Sequence, residues 1–388
     1  MLQMKILLAH NYYQAPGGED EVFRLEKELL ERNDHEVHVV TRSNRELPTR
    51  TGPRTAANAV WSRDSARKVE KTIAENGIDI AHFHNTHLML SPAVYGPCKR
   101  RGIPVIHTLH NYRLICPGAL LYRNGQPSSE CLGKTLPVKG IARGCYRNSI
   151  SQTFVSAAAH ALQRKMAIRE SHVDTFITLS DYARARFAEA GIPESLMITK
   201  PNFVHPDPGI GSGGGGYFLF VGRLVEEKGV KTLLEAWIGI EAPLKIVGDG
   251  PLSDLTAATA RASVAVEFLG GLPNESVIGL MKDATALVVP SEWPEPFGRV
   301  VVESFAVGTP VVASDIGALS ELVQNRHTGF TFTPRDPQSL NEAVRAVEAL
   351  PDKAAIRRAC RQEFEERYTA NRNYQLLKSI YEAALRKG

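Results

Sequence analysis

The chain has 388 residues, of which 43% are hydrophobic and 23% are charged, and its net charge is +4. One hydrophobic core rarely serves so long a chain, so the composition indicates a globular protein with two domains rather than a disordered or fibrous one. The small net charge, without a long stripe of Lys and Arg, excludes a nucleic-acid-binding protein.

The N-terminus, "MLQMKILLAHNYY", has a short apolar run and no small-residue cleavage site, so we expect no secretory signal and a cytoplasmic protein. No stretch approaches the roughly 18 consecutive apolar residues of a membrane span, so any membrane contact would be peripheral. Two basic groups could dock an anionic membrane surface beside a lipid-linked acceptor, or be solvated helix faces. They are Lys99, Arg100 and Arg101, and Arg164, Lys165 and Arg169.

The first part of the chain, residues 1–205, alternates short β-rich runs with segments of helical period. "MKILLA" is followed by the glycine loop "QAPGGED" and then by "EVFRLEKELLER", an order typical of strand, loop and helix. Further β-rich runs lie at residues 35–40, 78–83, 103–109 and 174–179. Such alternation predicts a parallel sheet with helices on both faces.

The segment "PDPGIGSGGGG", residues 206–216, predicts a flexible linker because its Gly, Pro and Ser leave little to pack. The alternation then restarts over residues 217–370. Its β-rich runs lie at residues 217–222, 244–248, 264–270, 286–290 and 310–314. We therefore predict an α/β protein with two doubly wound, Rossmann-like domains, whose ligands bind in the loops beyond the carboxyl ends of the strands.

Three of the five cysteines, Cys116, Cys131 and Cys145, fall in one loop-rich stretch without a Cys-x-x-Cys pair. A reducing cytosol argues against disulfides. A three-thiolate metal site completed by His107 or His110 matches no zinc spacing, and ordinary free cysteines are the alternative.

Two carboxylates flank a Phe-Gly step in "SEWPEPFGRVVVE". If a helix begins near Gly298, Glu295 lies in the loop, Glu303 lies more than a turn inside the helix, and the carboxylates are on the order of 10 Å apart. That separation is compatible with an acid/base pair. The N–H groups of Phe297 and Gly298 at a helix N-terminus favour a bound diphosphate instead. Glu295 would then accept from sugar hydroxyls and Glu303 from ribose hydroxyls, unless both are merely surface glutamates.

"FVGRLVEEKG" supplies two cations to the same layer, Arg223 directly after a strand and Lys228 five residues later. A departing diphosphate needs positive charge, which this pair provides without a metal. Lys228 could also be a solvated lysine at a helix start. Because the sequence has no Asp-x-Asp pair, we expect no metal and no cofactor.

"AHFHNTH" follows a predicted strand and contains His82, His84, Asn85 and His87. Two of these histidines alternate at strand spacing. They could bind an acceptor, or they could be packed in the core or hydrogen-bonded within a loop.

The order of these motifs resembles glycosyltransferase family 4, which has the GT-B fold with two domains facing a central cleft. The motifs are the Gly17–Gly18 loop, "HTLHNY", "GRLVEEKG", "IVGDGP" and Glu-x7-Glu in "EPFGRVVVE". The resemblance implies metal-independent, retaining transfer of a sugar from a UDP- or GDP-sugar to a hydroxyl of a glycan or lipid-linked acceptor. It also implies a C-terminal helix, residues 371–388, that crosses back to the first domain.

The resemblance carries roles onto individual residues. The catalytic set would be His110, Arg223, Lys228 and Glu295, and the donor-binding set would be Gly17, Gly18, Phe297, Gly298, Arg299 and Glu303. His110 is similar to the histidine that contacts the donor sugar and phosphate in this family, and acceptor-side contacts would come from His82, His84 and Asn85.

One departure from the family pattern concerns the cysteines. Relatives with a similar "HNYRLICPGALLYRNG" segment carry a Cys-x-x-Cys pair after it, whereas Cys131 in "PSSECLGK" has no partner three residues earlier. A metal knuckle is therefore not expected. Two other functions stay open: a sugar-nucleotide epimerase, which would need no acceptor, and a catalytically silent nucleotide-sugar-binding module.

Overall fold

The computed structural model describes residues 3–14, 17–46, 52–169 and 171–387. The chain forms two compact units, and each contains one parallel sheet. Unit 1 consists of residues 1–121, 128–201 and 373–388. Unit 2 consists of residues 122–127 and 202–372.

The strands match the predicted β-rich runs at the centre of each sheet. In chain order they are β1 (Lys5–Tyr12), β2 (Glu36–Ser43), β3 (Ile80–Phe83), β4 (Val105–Leu109), β5 (Tyr122–Arg123), β6 (Gln126–Pro127), β7 (Thr175–Thr178), β8 (Met197–Thr199), β9 (Phe218–Val221), β10 (Leu244–Val247), β11 (Val266–Gly270), β12 (Ala286–Val289), β13 (Val311–Ser314) and β14 (Gly329–Phe332). The sequence analysis did not predict the edge strands β8 and β14, nor the β5–β6 hairpin.

The helices follow the strands as the alternation predicts. They are α1 (Gly18–Glu31), α2 (Pro53–Val60), α3 (Arg63–Asn76), α4 (Tyr95–Arg100), α5 (Val138–Ala142), α6 (Ile150–Arg164), α7 (Asp181–Glu189), α8 (Val230–Ala236), α9 (Ser253–Ala262), α10 (Asn274–Asp283), α11 (Arg299–Ala306), α12 (Leu319–Leu322), α13 (Pro337–Glu348), α14 (Lys353–Arg367) and α15 (Ala370–Leu385). Within the described parts of the chain, none of these helices is long and apolar enough to cross a bilayer.

The sheet of unit 1 has the order β2-β1-β3-β4-β7-β8, with every neighbouring pair parallel. The central strands β3 and β4 are buried along their whole length, as a sheet covered on both faces requires. The strand order reverses between β1 and β3. The loops that follow these two strands therefore open a crevice, which is where doubly wound sheets bind ligands.

The sheet of unit 2 has the order β11-β10-β9-β12-β13-β14 and is also parallel throughout. Numbered within the unit, this is the order 3-2-1-4-5-6 of dinucleotide-binding folds. Its reversal lies between β9 and β12. Arg223 and Lys228 follow β9, and Glu295 follows β12, so the predicted cations and carboxylate lie at the switch point.

The segment 206–216 differs from the expected flexible linker. It lies within unit 2, and its backbone N–H groups at Gly211, Gly213 and Gly215 donate to the carbonyls of Val307, Lys282 and Asp283 at 2.8–2.9 Å. A Cβ on Gly211 would lie 2.2 Å from the Lys282 oxygen. Glycine is therefore present here because the backbones approach closely, which composition alone cannot distinguish from flexibility.

The C-terminal helix α15 packs into unit 1 from Asn373 onward. Its inward face buries Tyr374 and Tyr381, whose hydroxyls lie 2.9 Å from His35 Nε2 and 2.7 Å from His82 Nδ1. Asn373 donates to the Pro201 carbonyl at 2.7 Å. The last residues of the sequence therefore complete the core of the unit that begins the chain.

Candidate active site

The switch point of unit 2 is built from two loops whose backbones touch. Gly229 has φ +69°, and a Cβ there would lie 1.8 Å from the Pro290 oxygen. Only glycine fits such a position, so the loop after β9 is held against the end of β12. A second contact joins the Glu292 N–H to the Glu227 carbonyl at 2.9 Å.

Lys228 and Glu295 are bound to each other in this crevice. Lys228 Nζ lies 2.6 Å from Glu295 Oε1, and the same oxygen accepts a hydrogen bond from the Ser291 hydroxyl. The Lys228 ammonium also lies 5.7 Å from the centre of the Trp293 ring. The Glu295 side chain is buried, at 7% exposed, and that of Lys228 is 21% exposed, so the ammonium is the more accessible of the two groups.

Arg223 is held more loosely than Lys228. Its side chain is 67% exposed, and its Nη2 lies 3.6 Å from Glu227 Oε1. The two cations of the predicted pair therefore differ: Lys228 is fixed by Glu295, whereas Arg223 is available to an anion that enters from solvent.

Helix α11 begins as predicted, with Gly298 as its N-cap and Arg299 as its first residue. A Cβ on Gly298 would lie 2.9 Å from a Leu319 methyl, so glycine allows close packing on α12. The first N–H groups of a helix have no partner within it and carry partial positive charge. Glu303, one turn in, forms an ion pair with Arg299 at 2.9 Å. Phe297 is buried against the Tyr368 ring.

Glu292 is a site residue that the sequence analysis missed. Its carboxylate accepts from Thr232 Oγ1 at 2.8 Å and from the Tyr122 hydroxyl at 3.0 Å. The carboxylate raises the pKa of Tyr122, after the larger effect of burial. Glu292 adjoins Trp293 in the loop that carries Glu295, so the β5–β6 hairpin supports this loop. The 170-residue separation of Tyr122 and Glu292 leaves no local signal in the sequence.

Gly17 and Gly18 form the start of α1 in unit 1. Asp20 accepts from the Gly17 N–H at 3.0 Å and lies 2.7 Å from His10 Nε2. Gly17 has φ −136°, and a Cβ there would have its nearest neighbour, Tyr13, 4.0 Å away. Among the described residues, neither backbone conformation nor packing therefore requires glycine at this position.

His110 and His84 lie together in the loops after the neighbouring strands β4 and β3 of unit 1. His110 follows β4 and is partly exposed, whereas His84 follows β3 and is buried. His84 Nδ1 lies 2.9 Å from His110 Nε2. Both histidines line a recess together with Asn111, Arg113 and Gln163.

His82 and Asn85 do not have the open positions expected of acceptor contacts. His82 is fully buried, with ring nitrogens 2.7 Å from the Tyr381 hydroxyl and 2.8 Å from Thr108 Oγ1. Asn85 is 5% exposed and holds the loop after β3 in place, since it donates to the Asn11 carbonyl and accepts from the His87 N–H. For His82 the alternative of a hydrogen-bonded core histidine holds, because β3 is covered on both faces.

Glu26, His82 and His84 bring together the donor types of a metal site, within 4.8 Å of one another. The pocket already holds a cation, since Lys200 Nζ lies 3.1 Å from Glu26 Oε2 and 3.1 Å from Asn373 Oδ1. Lys200 is 1% exposed. A second positive charge beside a buried ammonium is strongly disfavoured, so these residues fit an ion-paired core better than a metal site.

The cysteines of the loop-rich stretch are free thiols. Cys131 Sγ and Cys145 Sγ lie 3.0 and 3.8 Å from the place where a Cβ on Gly140 would stand. Burial raises the pKa of Cys131 to about 11 and also raises that of Cys116. These groups are therefore protonated thiols at neutral pH, which agrees with the interpretation as ordinary free cysteines.

The basic groups considered for membrane docking bind to their own chain. Arg101 lies 2.9 Å from Glu70, and Lys99 donates to the Ser171 carbonyl at 3.1 Å. Arg164 donates to the Ala190 carbonyl at 2.7 Å. These contacts favour the alternative of solvated helix faces.

Two family models match the chain. A model described as Glycosyltransferase Family 4 matches residues 17–208, and one described as Glycosyl transferases group 1 matches residues 211–366. The chain belongs to glycosyltransferase family 4. The resemblance drawn from the sequence motifs is thereby confirmed.

Curated relatives align with the chain over different lengths. A glycogen synthase of Mycobacterium tuberculosis is 38% identical over 180 residues, which are 43% of this chain and 42% of the synthase. The chain thus spans less than half the length of that relative. An uncharacterized glycosyltransferase of Methanocaldococcus jannaschii is 25% identical over 348 residues, 89% of this chain and 88% of that protein.

The fold is GT-B, as membership in family 4 implies. Anabaena HepE, solved in complex with UDP, superposes with a TM-score of 0.68 at 19% identity, covering 98% of this chain and 100% of that one. At this identity the superposition bears on the fold, and the roles of individual residues have to be argued from the site itself.

Proposed function

We propose that this protein transfers a sugar from a nucleotide-sugar donor to a hydroxyl of a glycan or lipid-linked acceptor. The observation that carries the proposal is the Lys228–Glu295 ion pair at the switch point of unit 2, beside the N-terminus of α11. The cation and the polarised helix end suit a diphosphate, and the carboxylate suits the hydroxyls of the attached sugar.

The donor would lie with its diphosphate against α11. The N–H groups near Gly298 and the side chains of Arg223 and Lys228 would neutralise it. Glu295 would accept hydrogen bonds from sugar hydroxyls, and Glu303 from the ribose. Support for Glu295 as a binding carboxylate comes from its engagement by Lys228 and Ser291, since a carboxylate already neutralised in this way is a poor general base.

The reaction would retain the anomeric configuration. The bond between the anomeric carbon and the diphosphate oxygen breaks, and the acceptor hydroxyl attacks from the same face and passes its proton to the departing phosphate. Protein positive charge that neutralises the negative leaving group is then the main catalytic requirement. NMR of the anomeric proton in the product tests retention, and a trapped glycosyl-enzyme adduct would contradict this route.

The transfer would need neither a metal nor a cofactor. The support lies in the ion pairs of the donor crevice, where Glu295 is bound by Lys228 and Glu303 by Arg299. These carboxylates accept from side-chain cations in the way they would otherwise bind a divalent ion. Peripheral membrane contact stays a prediction, and it would require basic groups such as Arg101 to leave Glu70.

Thermal-shift titrations with UDP-, GDP- and ADP-sugars in EDTA test the donor. Binding to the native state raises the melting temperature by mass action, so one nucleotide class should raise it without metal. Lys228→Ala and Glu295→Gln should reduce the shift, whereas Lys231→Ala, an exposed lysine on α8, should leave it unchanged. Absence of a shift with every nucleotide, or a shift only with Mg²⁺ in place of EDTA, would overturn the proposal. Release of nucleoside diphosphate that depends on added acceptor would exclude both an epimerase and a silent binding module.

A further inference from the structure

A buried chain of polar side chains runs from the interior of unit 1 to the partly exposed His110. Glu26 on α1 is fully buried, and its Oε1 lies 3.2 Å from His84 Nε2. The opposite nitrogen of the same ring, Nδ1, lies 2.9 Å from His110 Nε2. The two ring nitrogens of His84 thus face Glu26 on one side and His110 on the other.

Glu26 is ionised at the inner end of this chain. Burial alone would raise the pKa of its carboxyl, but Lys200, His82 and His84 together hold that pKa well below its usual value. A carboxylate only accepts hydrogen bonds. A bare ring nitrogen 3.2 Å from this carboxylate would be repelled by it, whereas an N–H there is attracted, so the proton of His84 lies on Nε2.

His84 is neutral, because burial and the neighbouring His82 lower its pKa to about 4. A neutral imidazole has one N–H and one bare nitrogen. With the proton on Nε2, Nδ1 of His84 is an acceptor, and His110 Nε2 must donate to it. Burial also lowers the pKa of His110 well below 6.5, so this ring too has only one proton.

We propose that Glu26 and His84 are positioning residues that fix the tautomer of His110, with its proton on Nε2 and an unshared electron pair on Nδ1. This inference rests on the proposed function only in assigning a use to that electron pair: it accepts a hydrogen bond from a substrate hydroxyl at the recess of unit 1. A ring free to exchange tautomers would present a donor there for part of the time.

The groups around Glu26, His84 and His110 are consistent with this placement of the protons. His82 Nδ1 lies 3.1 Å from the same Glu26 oxygen, and Lys200 compensates the charge of Glu26 from the other side. Two further titratable neighbours on α1 and β1, Asp20 and His10, contact each other at 2.7 Å. Among the described residues neither His84 Nε2 nor Glu26 Oε1 has an aligned hydrogen-bond partner, so electrostatic attraction across 3.2 Å is what favours the proton on Nε2.

Nitrogen NMR of the full-length protein with ¹⁵N-labelled histidine tests the tautomers directly. Signals of His84 and His110 are assigned by their loss in His84→Gln and His110→Gln. We expect both rings to show the proton on Nε2 and an unprotonated Nδ1 at pH 7.5. A proton on Nδ1 of His110, or a doubly protonated ring, would overturn the proposal.

The variant Glu26→Gln tests whether Glu26 controls the tautomers or only fills space in the core. The amide can donate to His84 Nε2, which moves the His84 proton to Nδ1 and forces His110 to accept at Nε2 and protonate Nδ1. We expect both tautomers to invert and kcat for transfer to fall about tenfold to a hundredfold, with a smaller change in the donor KM.

His35→Gln removes a different buried histidine of unit 1, one bonded to Tyr374, and should change neither the tautomers nor kcat. Unchanged tautomers in Glu26→Gln, or an equal loss of kcat in His35→Gln, would contradict the positioning role. If the wild-type protein turns over no nucleotide sugar, the proposed function fails, while the NMR result still decides the tautomer of His110.

Discussion

Lys228 is the residue on which the proposed donor site depends, because it would lie between two anions. Its ammonium binds Glu295 at 2.6 Å. A diphosphate would approach the same nitrogen, so Lys228 would couple the leaving group to the carboxylate that holds the sugar. Its partial burial strengthens both interactions relative to bulk water.

We predict that Lys228→Ala lowers kcat/KM for transfer about a hundredfold to a thousandfold, the usual effect of removing one group that stabilises developing negative charge. The variant should also unfold at lower temperature, because Glu295 loses its cation. Steady-state kinetics and thermal unfolding measure the two effects. Lys231→Ala, with its exposed ammonium near Glu226, is the control. Equal kinetics for both variants would contradict the role of Lys228.

Two glycines, Gly17 in unit 1 and Gly229 in unit 2, are predicted to respond oppositely to a methyl group. Gly17→Ala should fold with unchanged stability, because the position is open and its φ suits any residue, yet the donor KM should rise as the methyl occupies the ligand's space. Gly229→Ala should be destabilised by several kcal/mol or fail to fold, because its Cβ would collide with the Pro290 carbonyl. Denaturant unfolding and donor titration distinguish the two cases. Normal folding of Gly229→Ala would show that the two loops do not need their close contact.

The sequence predicted site residues by type and spacing, but it could not predict their partners. Glu295 and Lys228 were identified from loops after strands, whereas Ser291, Glu292 and Tyr122 were not. Hydrogen bonds such as Tyr122–Glu292 or Lys200–Glu26 join residues 170 or more positions apart. Such pairings are fixed by the sheet order, which no local pattern encodes.

Among the elements, the segment 206–216 shows how composition can mislead. Arg357 on α14, 8% exposed, anchors it: its guanidinium donates to the carbonyls of Gly211, Lys282 and Val307, and also to Ala284 and Thr309. One side chain thus satisfies acceptors from several loops of unit 2. Arg357 therefore helps to hold the segment 206–216 in place, which the glycine-rich composition of the segment did not indicate.

We predict that Arg357→Met destabilises the protein by about 3 kcal/mol or more, because several buried carbonyls lose their donor at once. Arg358→Met is a matched control on the next residue, since Arg358 is 67% exposed and lies 3.6 Å from Asp352. Urea unfolding measures both. A loss in Arg357→Met no larger than that in the control would mean that the segment is as loosely held as its composition suggested.

The predicted fold is most accurate at the centre of each sheet. The runs that became β3, β9 and β12 are apolar and buried along most of their length, which is a strong pattern. The missed strands β8 and β14 are three and four residues long and lie at sheet edges. Pairing with one neighbour orders them, so their strand character comes from tertiary structure rather than from their own residues.

At the scale of the whole molecule, unit 1 is predicted to lose stability as pH falls below about 6.5. Burial is the main reason that several histidines of unit 1 have a lowered pKa. Among them are His84 (to about 4), His87, His107 (to about 3) and His160 (to about 3). These rings stay neutral in the fold while the unfolded chain binds protons, so the free energy of unfolding decreases with falling pH. Each contributes up to about 1.4 kcal/mol per pH unit until its folded pKa is reached.

Melting temperatures at pH 7.5, 6.5 and 5.5, at constant ionic strength, measure this effect. His160→Leu should flatten the profile, because it removes a ring whose two nitrogens have no hydrogen-bond partner among the described residues. Glu26 adds a further loss of stability below about pH 4.5, where its carboxyl becomes protonated in the unfolded chain. A profile that is flat from pH 7.5 to 5.5 would contradict the prediction.

The route of the backbone has a consequence for anyone who divides this protein. The chain leaves unit 1 at residue 121, returns at 128, leaves again at 201 and returns at 373. A gene split at residue 201 would give a first fragment without Tyr374 and Tyr381, and a second fragment without the hairpin that supports Glu292. Neither fragment should be soluble by itself, whereas co-expression should restore a nicked, active protein. Domain-swap chimeras between relatives must therefore exchange discontinuous pieces.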